Sequence, residues 1–235
     1  MPVSDPGRDG GVGVSAGRPT TVWPCPPDSP GRPSAGWLAA ALDQLVACYT
    51  RPGDPVLILL PPHADGPAAV CRKAPADRLA DAGRAADRLG RAVHVRPASA
   101  TGPAQPSGSG PGPRTPGEGP HNDRHPLVVT VVDPTRTGWV HGISWDRLVA
   151  PEGVLAVITR SDSIGGWLLD PTGALSAAAG RHGLALLDRL VLLEVPLDEL
   201  GGAPTPLPQQ AVARRVHSAL LVFAPLAPPI WDATR

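Results

Sequence analysis

Short apolar runs, separated by helical or turn-rich stretches, set the rhythm of this chain. VLILL at residues 56–60, LVVTVV at 127–132 and GVLAVIT at 153–159 are continuous apolar runs of strand length. That is the pattern of central parallel strands covered on both faces. Residues 93–95, 189–195 (RLVLLEV) and 219–224 (ALLVFA) predict three more strands. Between them lie segments with helical period. From Ser34, a natural N-cap, Leu38, Leu42, Leu45, Val46 and Tyr49 fall on one face. A second helix is predicted from Pro75 to Leu89, with a thin stripe of Leu79, Ala82, Ala86 and Leu89 and a solvated face of Asp77, Asp81, Arg84 and Arg88. A third spans about 171–182, ends at Gly183 and is rich in small residues. Pro52 and Gly53 break the chain at 50–55, Gly90 ends the second helix, and a connection bearing Trp139, Trp145 and Leu148 can cover the sheet as a short helix. Strands alternating with helices imply an α/β fold with a doubly wound, mostly parallel sheet. The last two strands, joined across a Pro-broken loop at 196–209, predict an antiparallel strand at one edge.

Composition changes that picture at two places. Residues 1–33 are rich in Pro, Gly and Ser, and residues 97–126 contain no Val, Ile, Leu or aromatic residue while Pro and Gly make up almost half of them. Neither can offset its ordering entropy by burial, so a disordered lead and a flexible insertion are expected. The chain of 235 residues then reads as one domain over 34–225, interrupted at 97–126, with a tail at 226–235.

Charge and cysteine content remove several classes. The formal net charge is zero, which gives no electrostatic reason to bind a polyanion. Lys73 is the sole lysine among many arginines, a mark of GC-rich coding rather than of function. Cys25, Cys48 and Cys71 form no CxxC pair, and an odd count argues for reduced thiols. The opening MPVSDPGRDGG lacks the apolar core of a signal peptide, and no apolar run approaches membrane-spanning length. A cytoplasmic chain with no membrane partner is expected.

Several phrases, in order, resemble the bacterial DNA amino-methyltransferases that modify adenine N6 or cytosine N4. TVWP at 21–24 looks like the opening of one group of that family. ACYTRPGDPVL at 47–57 resembles the family's helix end and YT-x-PGD-x-VLDPFCG-x-G; HPLVVTV at 125–131 stands where it has DLV-x-TSPPY. EGVLAVITR at 152–160, residues 166–195 and LLVFA at 220–224 are similar to its late strand, helix, strand and ending. The resemblance implies a Rossmann-like methyltransferase fold, with S-adenosylmethionine as cofactor if the protein is active.

The chain departs from the family at three positions. After the first strand it reads Leu60, Pro61, Pro62, His63 where glycines would let the backbone approach a cofactor, and the prolines have no N–H to donate. Arg96 stands where an acid would accept hydrogen bonds from ribose hydroxyls, and a guanidinium only donates. The catalytic Asp/Asn/Ser-Pro-Pro-aromatic tetrapeptide reads Asp133-Pro134-Thr135-Arg136 after a shift of two, with no aromatic to stack a flipped base. Asp133 is thus the one remnant of the chemistry, with the plainer reading that Asp133-Pro134 ends a strand and starts a turn. Leu60, Pro61, Pro62, His63 and Arg96 form a vestigial cofactor rim.

Other constellations carry less. His121-x-x-x-His125 has metal-ligand spacing but falls in the insertion, so no metal site is expected. Asp133, His141, Ser144 and Asp146 hold the elements of a hydrolase triad without a G-x-S-x-G elbow. Gly165-Gly166 fits a phosphate nest, or more simply the turn ahead of a helix, and Arg214-Arg215 with His217 is too small a basic spot for a nucleic-acid footprint. An intact scaffold with a damaged site points first to a non-catalytic partner of another protein, such as an intact methyltransferase paralogue. Six tryptophans beside one Phe and one Tyr supply anchors for an interface. An active enzyme with a rebuilt loop, and a nucleic-acid-binding module without chemistry, are the alternatives. No cofactor is expected under the first reading.

Overall fold

The computed structural model describes residues 21–25, 36–62, 79–80, 83, 89–98, 124–164, 167–200 and 216–226. The strands are β1 (Thr21–Pro24), β2 (Pro55–Leu60), β3 (Ala92–Pro97), β4 (His125–Val131), β5 (Val149–Thr159), β6 (Asp162–Ile164), β7 (Trp167–Leu169), β8 (Leu184–Leu193) and β9 (His217–Pro225). Among the described residues, α1 (Gly36–Tyr49), α2 (Trp145–Leu148) and α3 (Thr172–Gly180) are α-helices, Leu79, Ala80 and Gly83 are helical, and 3-10 turns lie at Gly138–Gly142 and Leu197–Leu200.

Seven strands form one mixed sheet in the order β1-β8-β9-β5-β4-β2-β3. All run the same way except β9, which pairs antiparallel with both β5 and β8. The three two-sided apolar runs lie side by side as expected: Val56 aligns with Leu127, and Leu127 with Val154, in parallel ladders. The fold is therefore α/β, with the central strands β2, β4 and β5 buried on both faces.

Each face has its own core. On one, Leu38, Leu42, Leu45 and Val46 of α1 pack against Ile58, Val129, Ile158, Leu192 and Leu220. Removing a side chain such as Leu45 from water contributes roughly 1.5–3 kcal/mol. On the other, Trp145, Leu175, Ala178 and Ala179 cover Leu57, Val128, Leu155, Leu221 and Phe223. The alanines of α3 let that helix sit close to the sheet. Trp145 keeps its indole N–H satisfied by donating to the Val140 carbonyl at 3.1 Å. The break after α1 is a tight turn: Gly53 takes φ 89°, Asp54 N–H donates to the Arg51 carbonyl, and the Asp54 carboxylate accepts from Arg51 N–H.

Four expectations need correction. The antiparallel strand is not at an edge, because β9 lies third in the order with β8 and β1 beyond it. Its residues Leu220–Phe223 are buried, so they need cover on both faces and partners on both sides. The short, proline-ended β1 takes the edge instead. Residues 21–25 also leave the disordered lead: β1 pairs with β8, and Cys25 is fully buried with its N–H donated to the Leu193 carbonyl. The insertion is narrower at both ends, since Pro97 closes β3 and His125 opens β4 with its ring buried. Before the third helix, β6 and β7 form a separate antiparallel pair with Ile164 opposite Trp167, and Gly165-Gly166 lie outside the described residues. Ser34, the interior of the 75–89 helix, the rest of the lead, residues 99–123 and the tail past Leu226 lie outside the described residues.

Candidate functional site

The carboxyl ends of β2, β3, β4 and β5 line one rim of the sheet, the edge at which open α/β sheets place ligands. Its backbone is tied down. Ala98 N–H donates to the Leu60 carbonyl at 2.7 Å, joining β3 to β2 at their ends. Thr130 donates its buried hydroxyl to the Leu59 carbonyl at 2.7 Å, and Thr159 to the Val132 carbonyl at 2.9 Å. Val132 N–H donates to the Ile158 carbonyl at 2.8 Å. Each link consumes a polar group that a ligand would otherwise meet.

Asp133 lies at this rim, in the turn after β4. One carboxylate oxygen accepts from the Thr135 N–H at 2.9 Å and the Thr135 hydroxyl at 2.6 Å, an Asx turn. The other accepts from the Arg160 guanidinium at 3.3 Å, and Arg160 also faces Asp162 at 3.6 Å. Burial acts to raise the Asp133 pKa. The two Thr135 hydrogen bonds and the charges of Arg160 and Arg136 outweigh it, so the pKa falls below the ordinary 3.8. Asp133 is thus an anion held by its neighbours.

The sequence-derived rim residues are only partly assembled. Leu60, Pro61 and Pro62 follow β2, and Arg96 is half-buried on β3 opposite Leu59; His63 lies outside the described residues. Arg160 was missed. Its signal was its position one residue past the end of a core strand, but its partner depends on the β4–β5 register.

The triad elements do not converge. Asp146 binds Nδ1 of His182 at 2.9 Å, joining α2 to the end of α3, while Nδ1 of His141 is a buried ring nitrogen with no hydrogen-bond partner among the described residues. Nδ1 of His94 lies 3.2 Å from Nε2 of His125, and His121 lies outside the described residues. The alternation Val93-His94-Val95 set His94 apart on its strand, and its partner lay 31 residues away. No group of three or more His, Cys, Asp or Glu side chains able to hold a metal occurs among the described residues, and none of the helices there is long and apolar enough to cross a membrane.

No protein-family model matches the chain, and no curated protein is significantly similar to it. Among solved structures it is similar to a Thermoplasma acidophilum protein described as a candidate methyltransferase, with a TM-score of 0.35 and 10% identity over 74% of this chain and 69% of that one. It is also similar to LepI in complex with SAM, at a TM-score of 0.31 and 11% identity, covering 92% of this chain and 45% of that one. A pericyclic reaction enzyme gives a TM-score of 0.30 and 12% identity, with 91% and 45% covered. The chain spans less than half the length of these last two proteins. The molecule's own geometry establishes an α/β domain whose strand-end rim carries the bonded pair Asp133–Arg160.

Proposed function

We propose that this chain is a methyltransferase-like domain, related in sequence pattern to the DNA amino-methyltransferases, that does not transfer methyl groups and works as a binding partner of another protein. The observation that carries this reading is the state of Asp133. Both of its oxygens are engaged within the chain, and an ion pair with Arg160 weakens it as an acceptor for a substrate amino group. The neighbouring rim fits S-adenosylmethionine poorly. Pro61 and Pro62 offer no N–H, the Leu60 carbonyl is taken by Ala98, and Arg96 offers only donors to a ribose. A partner role is supported by the hairpin that follows β5, where Trp167 is 82% and Leu168 77% exposed. Large apolar side chains presented in this way are typical anchors of protein interfaces.

Isothermal calorimetry with S-adenosylmethionine tests the reading. No heat of binding at sub-millimolar cofactor is expected. Micromolar binding lost in Asp133→Ala would restore the active-enzyme alternative. A DNA gel shift that weakens between two salt concentrations would instead favour the nucleic-acid module.

A further inference from the structure

We propose that His94 and His125 form a two-imidazole site for a borderline divalent transition cation, for which Zn2+ is the suitable probe. The inference is independent of the partner role. β3 and β4 flank β2 on opposite sides, and the two rings meet across it. Nδ1 of His94 and Nε2 of His125 are 3.2 Å apart. The rings cross at 87° with centroids 5.4 Å apart, so they meet through nitrogen-bearing edges and do not stack. In a tetrahedral shell with metal–nitrogen bonds of about 2.0–2.1 Å, two ligand nitrogens sit about 3.3–3.4 Å apart. The observed gap is close to that span, so small rotations of two side chains suffice to coordinate. His125 is buried at the start of a core strand, which fixes one donor, while His94 is exposed and leaves a path for a hydrated cation.

Without metal, the same 3.2 Å contact is a hydrogen bond in which one ring donates and the other accepts. Coordination requires only that the donating ring shift its proton to its other nitrogen, after which both facing lone pairs are free. Imidazole suits Zn2+, Ni2+ and Cu2+, and it does not suit Mg2+ or Ca2+. Water fills the remaining positions, so affinity in the micromolar range is expected rather than that of a closed structural site.

Calorimetric titration of the full chain with Zn2+ at neutral pH tests the proposal, with Mg2+ as control. The expected result is a site of about one Zn2+ per chain, weakened at least tenfold by His94→Ala and at acid pH, and no heat with Mg2+. Because His94 is exposed, its substitution leaves the core intact, which a melting curve checks. Histidine-selective nitrogen NMR provides a second readout, in which Nδ1 of His94 and Nε2 of His125 shift together on Zn2+ addition. Absence of Zn2+ uptake by the unsubstituted chain, unchanged binding by His94→Ala, or shifts confined to other histidines would overturn it.

Discussion

Asp133 and Arg160 face each other across the ends of two adjacent parallel strands, carboxylate to guanidinium at 3.3 Å. Asp133 starts the turn after β4, while Arg160 is the first residue beyond β5. The pair closes the rim where β4 and β5 part.

Its pH dependence follows from its charge. Because the folded-state pKa of Asp133 is lowered from 3.8, the carboxylate stabilises the fold above that value, and the contribution is lost as pH falls through the folded-state pKa. The side chain is 32% exposed, so solvent screens it. Asp133→Asn should therefore cost only about 0.5–1 kcal/mol at neutral pH and flatten the acid limb of the stability curve. Urea unfolding from pH 7 to pH 3 reads both effects. An unchanged acid limb would remove the ion pair from the account.

Gly153 should resist substitution. A Cβ there would lie 2.8 Å from the His125 carbonyl oxygen and 2.9 Å from that of Pro126, beside the register shift between β4 and β5. Both neighbours are backbone and cannot swing aside. Gly153→Ala should cost at least about 2 kcal/mol through displaced strands, seen as a fall in melting temperature. The neighbouring surface change Glu152→Ala serves as control, within about 0.5 kcal/mol of the parent.

The thiols should differ in reactivity. Cys25 is fully buried, and burial pushes its pKa up to about 11, whereas Cys48 is exposed. Since the thiolate is the reactive form, alkylation at pH 8 should label Cys48 rapidly and Cys25 only after unfolding. Mass spectrometry of the peptides reads this directly. Rapid labelling of Cys25 in the folded chain would contradict the docking of β1.

The reach of the sequence depended on the kind of information each feature needs. VLILL, LVVTVV and GVLAVIT declared themselves as central strands because residues that are apolar on both faces have few other places to go. Leu38, Leu42, Leu45 and Val46 declared α1 through their period. Thr21–Pro24 gave no such periodic sign: four residues at a sheet edge need little apolar surface, and composition put them with the lead although TVWP resembled the family's opening. Asp133 was legible as the residue ending a strand, but its bond to Arg160 was not, because that depends on which strands are neighbours. The meeting of His94 with His125 was hidden for the same reason.

Trp167 separates stability from recognition. At 82% exposure it has little to contribute to the core, so Trp167→Ala should change stability by no more than about 0.5 kcal/mol. Where an intact methyltransferase is encoded beside this chain, the two should co-purify on co-expression, and Trp167→Ala should weaken that complex at least tenfold. A complex indifferent to the substitution would move the interface away from the hairpin.

The place of β9 has a consequence for how the molecule comes into being. β5 and β8 do not pair in the sheet; the strand between them, β9, follows both of them in sequence. Without residues 217–225, no backbone pairing joins β3-β2-β4-β5 to β8-β1 in this strand order. Joining the two parts of the sheet through so distant a pairing is slow compared with local helix formation. Before β9 pairs, the edges of β5 and β8 are open to strand-to-strand aggregation that its pairing removes.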